Sequence, residues 1–195
     1  MYYLVALGNP GEEYKKTRHN VGFAALDFIV SKLGLPTPVQ KSQYAGLCSE
    51  ATIGGREVVF LYPDTFMNHS GSAVKKLVPK SELSQLIVLY DDVALPLGEV
   101  RVSFDRGDGG HNGIKSIITT LQSKEFIRVR IGVAATSFWT GKVKAVVGEV
   151  LAKFVLGKFT SKEDAILQKE VFPTVLKVVE TILVFGKDKA MNEFN

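Results

Sequence analysis

Apolar and polar positions follow two different periods along this chain, and the places where one period gives way to the other mark the expected elements. Residues 2–7 form an unbroken apolar run, which predicts a strand buried on both faces, stopped by Gly8-Asn9-Pro10-Gly11. Over 20–33, Val21, Phe23, Leu26, Ile29, Val30 and Leu33 recur at helical spacing, and Gly34 with Pro36 ends that helix. Residues 44–53 and 57–62 read as strands on either side of Gly54-Gly55, a two-residue hairpin signal. A helix follows over 68–78, with Ala73, Val74 and Leu77 inward, and the continuous run 86–90 predicts another doubly covered strand.

In the second half, a loop with Pro96 and Gly98 leads to a strand over 100–104 and a helix over 112–121. Over 126–134, Ile127, Val129, Ile131 and Val133 alternate with Arg128 and Arg130, the pattern of a half-buried strand. That alternation puts both guanidinium groups on one face. The valines of 138–159 fit either period, and an amphipathic helix is expected over 162–185, broken or restarted at Pro173. Strands interleaved with helices, without repeat or linker, predict a single α/β domain over 1–195. Its sheet should be mixed, mostly parallel and twisted, with helices on both faces.

Composition narrows the function classes. The 195 residues are 46% hydrophobic and 23% charged, a globular balance that excludes a disordered chain. No apolar run approaches the roughly 18 residues of a membrane span, so no membrane partner is expected. The strand-like opening carries no basic leader and Cys48 is the lone cysteine; a cytoplasmic protein without disulfides is expected. The net charge of +4 is modest, but basic residues crowd the stretch from Arg101 to Lys158. They form either a nucleic-acid-facing surface or a solvated face.

Candidate chemistry gathers where strands should end, the region beyond which open α/β sheets bind ligands. His19, in Thr17-Arg18-His19-Asn20, precedes a helix, a setting suited to a neutral imidazole acting as base. Asp91 or Asp92, after the 86–90 run, can orient it. Asn9, Asn68 and Asn112 offer amides that hold a carbonyl, a water or an oxyanion without titrating; each also fits an ordinary turn or helix cap, Asn112 above all. His69 and His111 lack the partners of a spaced metal motif, so no metal is expected. Gly107-Asp108-Gly109-Gly110 lacks the Lys-Ser/Thr of a nucleotide loop, and no Gly-x-Ser-x-Gly elbow occurs.

Several strings occur together in order: Gly8-Asn9-Pro10-Gly11, Tyr14, Thr17-Arg18-His19-Asn20-x-Gly22, Thr65-Phe66-Met67-Asn68-x-Ser70-Gly71, Asp91-Asp92 before Leu95-Pro96-x-Gly98, and Gly109-Gly110-His111-Asn112-Gly113. In that order they resemble the bacterial-type peptidyl-tRNA hydrolases, from Tyr3 to about Gly132 and again over 155–159. The resemblance implies an enzyme that cleaves the ester between a peptide and tRNA, monomeric, without cofactor or obligate protein partner. It implies His19 as general base and Asp91 as its partner. Asn9, Tyr14, Met67, Asn68, His111 and Asn112 would lie around the substrate, and Arg130 on a phosphate of the acceptor stem near the 3′ end. Three departures stand out: Ala94 replaces an acid, Ser103 falls where relatives carry a base, and Ala134-Ala135-Thr136-Ser137-Phe138-Trp139 replaces a Gly-Arg-Pro-like turn. Arg101 or Arg106 would then compensate for Ser103. Competing readings are a non-catalytic RNA-binding relative and a metal peptidase using His19, His111 and the acids.

Overall fold

The structure, a computed structural model, describes residues 1–135 and 148–195. Its seven strands are β1 (Tyr2–Ala6), β2 (Val39–Lys41), β3 (Gly46–Ile53), β4 (Arg56–Pro63), β5 (Leu86–Pro96), β6 (Val100–Phe104) and β7 (Ile127–Ala134). They form one sheet in the order β2-β3-β4-β1-β5-β7-β6. The inner pairs β4–β1, β1–β5 and β5–β7 are parallel, and antiparallel pairs extend the sheet at both sides. The helices are α1 (Val21–Lys32), α2 (Ser70–Leu77), α3 (Asn112–Leu121), α4 (Gly148–Val155), α5 (Ser161–Ile166), α6 (Phe172–Phe185) and α7 (Lys187–Phe194).

Side-chain alternation along each strand divides the core in two. Leu4 and Ala6, Ile87 and Leu89, and Ile127, Val129, Ile131 and Val133 of β7 pack with α1, α6 and Ala190 of α7. Tyr3, Val5 and Leu7, with Leu86, Val88 and Tyr90, pack on the opposite face with α2 and α3. The period of two thus produces helices on both faces, as the pattern predicts. Among the described residues no helix is long and apolar enough to cross a membrane.

Four expectations need correction. β5 does not end at residue 90; it runs through Asp91 and Asp92 to Pro96, with a register shift between Asp92 and Pro96. Its neighbour β7 continues alongside and satisfies the backbone, so the polar residues need not mark a strand end. β7 is not half-buried: the loop at Arg106 and Gly107 closes over its polar face, and Arg128 is only 1% exposed. The two arginines therefore do not share a solvent-facing role. The C-terminal helix restarts ahead of Pro173, because a π-helical turn over Leu167–Val171 precedes α6, whose first turn accommodates the proline. Third-strand pairing begins at Gly46 rather than 44, behind a short 3-10 turn, and the small exposed strand β2 was not anticipated, nor was α7. Of the ambiguous 138–159 segment, α4 resolves the later part as helix. Residues 136–147, including Lys142, Lys144 and most of the atypical turn, lie outside the described residues.

Candidate active site

β1 stops at Ala6, opposite Leu89, whereas β5 continues. Asp91 thus stands just past the end of its parallel neighbour. The 3-10 turn Arg18–Asn20 leads into α1 there and brings in His19. α1 comes close because residue 22 is glycine: a Cβ would lie 2.5 Å from the Leu89 carbonyl oxygen and 2.7 Å from that of Leu7. From the other face, the loop before α3 brings His111.

The three side chains meet on one oxygen. His19 Nδ1 is 2.9 Å and His111 Nε2 3.0 Å from Asp91 Oδ1. His111 Nδ1 accepts from the backbone N–H groups of Gly113 and Ile114, at 3.1 and 3.2 Å, capping α3. An imidazole nitrogen that accepts two amides carries no proton, so the His111 proton sits on Nε2 and is donated to Asp91. Burial by itself would push the Asp91 carboxyl up; the attraction of His111 and His19 and their hydrogen bonds outweigh it and hold the carboxyl well below the usual range. An ionised Asp91 only accepts, which puts the His19 proton on Nδ1 and leaves Nε2 as an acceptor.

This cluster opens on a cavity of about 240 Å³, lined by His19, Asp91, His111 and Asn112 and also by Leu151, Ala152 and Val155 of α4. Tyr90 lies edge-on to His111, with ring centroids 4.8 Å apart. Burial and the nearby Asp92 push its phenol up to about 12, against the opposing pull of Arg130 and Arg128, so it is a neutral wall. Asp92 turns away from the histidines: its Oδ2 accepts from Arg130 Nε at 2.7 Å and its Oδ1 from the Ala94 N–H at 2.8 Å.

The amides are not all in one place. Asn112 lines the cavity and also a neighbouring groove of about 380 Å³ that holds Asn68, so the two adjoin at that residue. It is the first residue of α3 rather than its cap, a role taken by His111. Asn9 is structural in its contacts: its Oδ1 accepts from the Met67 N–H at 2.8 Å. Asn20, which sequence reasoning did not single out, locks Asn9 from behind. Its Oδ1 accepts from Asn9 N–H and its Nδ2 donates to Asn9 O, both at 2.9 Å. Only its place in the Thr-Arg-His-Asn string hinted at this. Met67 is buried beside Gly113. Tyr14 lines none of these cavities, and its carbonyl accepts from Thr17.

A second cavity, of about 560 Å³, adjoins the first across Tyr90, Asp92 and Arg130 and contains Arg101, Ser103 and Arg106. Arg101 and Arg130 are direct partners across β6 and β7, as are Ser103 and Arg128. Arg128 is engaged elsewhere, since its guanidinium lies over the Phe126 ring at 4.6 Å and donates to the carbonyls of Arg106 and Gly107.

Fold and site together define an α/β protein with an acid–base cluster in the crevice past the carboxyl ends of its parallel strands. The family model described as peptidyl-tRNA hydrolase matches residues 3–195. A peptidyl-tRNA hydrolase of Alkaliphilus metalliredigens (strain QYMF) is 41% identical over 197 residues, covering all of both chains. One of Clostridium tetani is 40% identical, over all of this chain and 97% of its own. The crystal structure of peptidyl-tRNA hydrolase from Acinetobacter baumannii superposes with a TM-score of 0.85 at 29% identity, over all of this chain and 94% of that one. The chain belongs to the peptidyl-tRNA hydrolase family.

Proposed function

We propose that this protein is an enzyme that hydrolyses the ester joining a peptide to tRNA, with His19 as general base and Asp91 as its orienting partner. The observation that carries the reading is the 2.9 Å pair between His19 Nδ1 and Asp91 Oδ1 at the wall of the cavity. Nε2 of His19 takes a proton from water, and the resulting hydroxide adds to the ester carbonyl carbon. The tetrahedral intermediate collapses by breaking the bond to the ribose oxygen, which leaves with the proton from His19. Asp91 stabilises the imidazolium between those two transfers. An aminoacyl ester is already activated, so no protein nucleophile is required.

Asn112 and Asn68 line adjoining hollows, which suits a peptide running away from the ester along α3. Asn9 offers the substrate the amide nitrogen that its contact to Met67 leaves over, while Met67, packed against Gly113, and Tyr14, which accepts from Thr17, act on the substrate through the turns that carry Asn112 and His19. For the tRNA, the juxtaposition of Arg101 and Arg130 supports a phosphate site. Arg101 pairs with Glu99 at 3.2 Å and Arg130 with Asp92 at 2.7 Å, and the N–H groups those contacts leave over can be shared by one phosphate. Arg106 borders the same cavity. The site assembles within one chain, which supports a monomer working without a protein partner, in the cytoplasm where translation generates its substrate. A metal on His19, Asp91 and His111 would need the Nε2 lone pair of His111, and the two amides at Nδ1 oppose that tautomer.

Release of free tRNA from an N-blocked aminoacyl-tRNA, followed on a gel, tests the reading. Wild type should release it with or without a chelator, and His19→Ala should be slower by ~10²–10⁴-fold. Binding without release by the wild-type protein would favour the non-catalytic RNA-binding alternative, and loss of activity to the chelator the metal one.

A further inference from the structure

The residue before His19 is tied to a part of the chain far away in sequence. Arg18 Nη2 donates to both carboxylate oxygens of Glu163, at 2.8 and 3.0 Å, and Nη1 donates to the Lys158 carbonyl at 3.0 Å. The guanidinium lies over the ring of Phe154 in the last turn of α4, at 4.6 Å, and over that of Phe159, at 5.2 Å. Backbone contacts close the same seam: Arg18 N–H donates to Gly157 O at 3.0 Å, Phe159 N–H donates to Lys16 O at 3.2 Å, and Thr17 forms an isolated bridge with Lys158. Gly157 leaves little room for a side chain, since a Cβ would stand 3.2 Å from Arg18 Nη1 and 3.1 Å from Phe154 O.

These contacts converge on α4, which has little else to hold it among the described residues. Its only buried residue is Val155, while Val150 is 67% exposed. Yet Leu151, Ala152 and Val155 line the same cavity as His19 and Asp91. Glu163 is fixed in turn, because it belongs to the capping box of α5 with Thr160. A paired, partly desolvated Arg–carboxylate contact is stiff in a way that an exposed ion pair is not.

We infer that Arg18 is a positioning residue: by clamping Glu163, Phe154 and Phe159, it sets the distance between the α4 wall and His19 and so the width of the cavity that receives the ester. It touches no reacting atom. The inference rests on the reading of that cavity as the active site. A clamp fixed at the residue next to the base keeps wall and base in register, because both move with one short turn. Lysine replaces it only in part, keeping the charge but lacking the fork for Glu163 and the flat cation for two rings.

Full-length Arg18→Ala, Arg18→Lys, Glu163→Gln and the Arg18→Ala/Glu163→Gln pair test this, through KM, kcat and its pH profile on N-blocked aminoacyl-tRNA, together with hydrogen–deuterium exchange over 149–156. Arg18→Ala should raise KM about tenfold, with the shape of the kcat pH profile kept, because the wall moves and the base does not. Amides of 149–156 should exchange faster while those of 86–92 stay protected. Arg18→Lys should recover part of the KM loss, and Glu163→Gln should add little on top of Arg18→Ala. Unchanged exchange in α4 would overturn the inference. So would an equal KM rise in Val175→Ala, a remote core variant, at matched loss of Tm, or a fall in kcat with an altered pH profile at constant KM. His19→Ala, run alongside, separates the two levels: if it keeps its turnover, the active-site reading fails whatever α4 does.

Discussion

Asp91 accepts from two imidazoles on one oxygen, and that single atom organises the site. Asp91→Asn replaces an acceptor with a group whose amide can face the wrong way, so it should lower kcat strongly, by ~10²-fold or more. Asp92→Asn weakens the contact to Arg130 and should act mainly on KM. Measuring both under the same conditions checks the assignment, and a larger kcat loss in Asp92→Asn would reverse it. The depressed Asp91 carboxyl also makes a stability prediction. Its folded form stays ionised where the unfolded form is protonated, so its contribution is complete well above the unfolded value of about 3.9 and fades as pH falls below it. Urea unfolding of wild type and Asp91→Asn should therefore give a stability gap that shrinks as pH is lowered from 5 to 3. A gap that widened with acid would contradict the pairing.

The arginines of β7 show how an element sorts like residues into unlike roles. Arg128 and Arg130 look equivalent by alternation, but Arg128 is enclosed against Phe126 and the carbonyls of Arg106 and Gly107. It thereby anchors the loop that delivers His111 and Asn112. Arg128→Ala leaves those carbonyls and a void behind and should cost about 3–5 kcal/mol in urea unfolding. Arg130→Ala should cost far less stability. It should instead raise KM for peptidyl-tRNA and reduce the salt slope of binding by about one phosphate, with little change on a minimal ester lacking the tRNA body. If both variants behaved alike in the two assays, the division would be wrong. α7 was missed for a related reason: Lys187–Phe194 is mostly polar and buries only Ala190, so no apolar stripe announced it. Its Lys187 ammonium over the Phe104 ring, 4.8 Å from the centroid, and its packing along the edge strand β6 hold it in place.

At the scale of the molecule, the position of α1 against the sheet couples fold to chemistry. Gly22→Ala would drive a methyl into the carbonyls of Leu89 and Leu7, lift α1 from β1 and β5, and carry His19 away from Asp91. Tm and kcat should fall together, and a variant that lost Tm with kcat intact would show that His19 is held by other means, such as the Arg18 seam. The α/β class, the two-faced core and nearly every strand and helix centre could be read from period alone, because alternation and helical spacing report which face of an element is covered. The ordered strings around His19, Asp91, Asn68 and Asn112 likewise pointed to the family, since short turn-rich motifs keep their identity along the chain. Period is blind to what covers a strand's polar face: β7 reads as half-exposed, and only the Phe126 ring and the loop at Arg106 and Gly107 laid against it bury Arg128. Nor could linear order separate Asp91 from Asp92 by physics. That choice, the proton on His111 Nε2 and the union of Arg18 with Glu163 across 145 positions all depend on which residues distant in the chain become neighbours. Hydrogen-bond direction and mutual distance exist only once the sheet has closed.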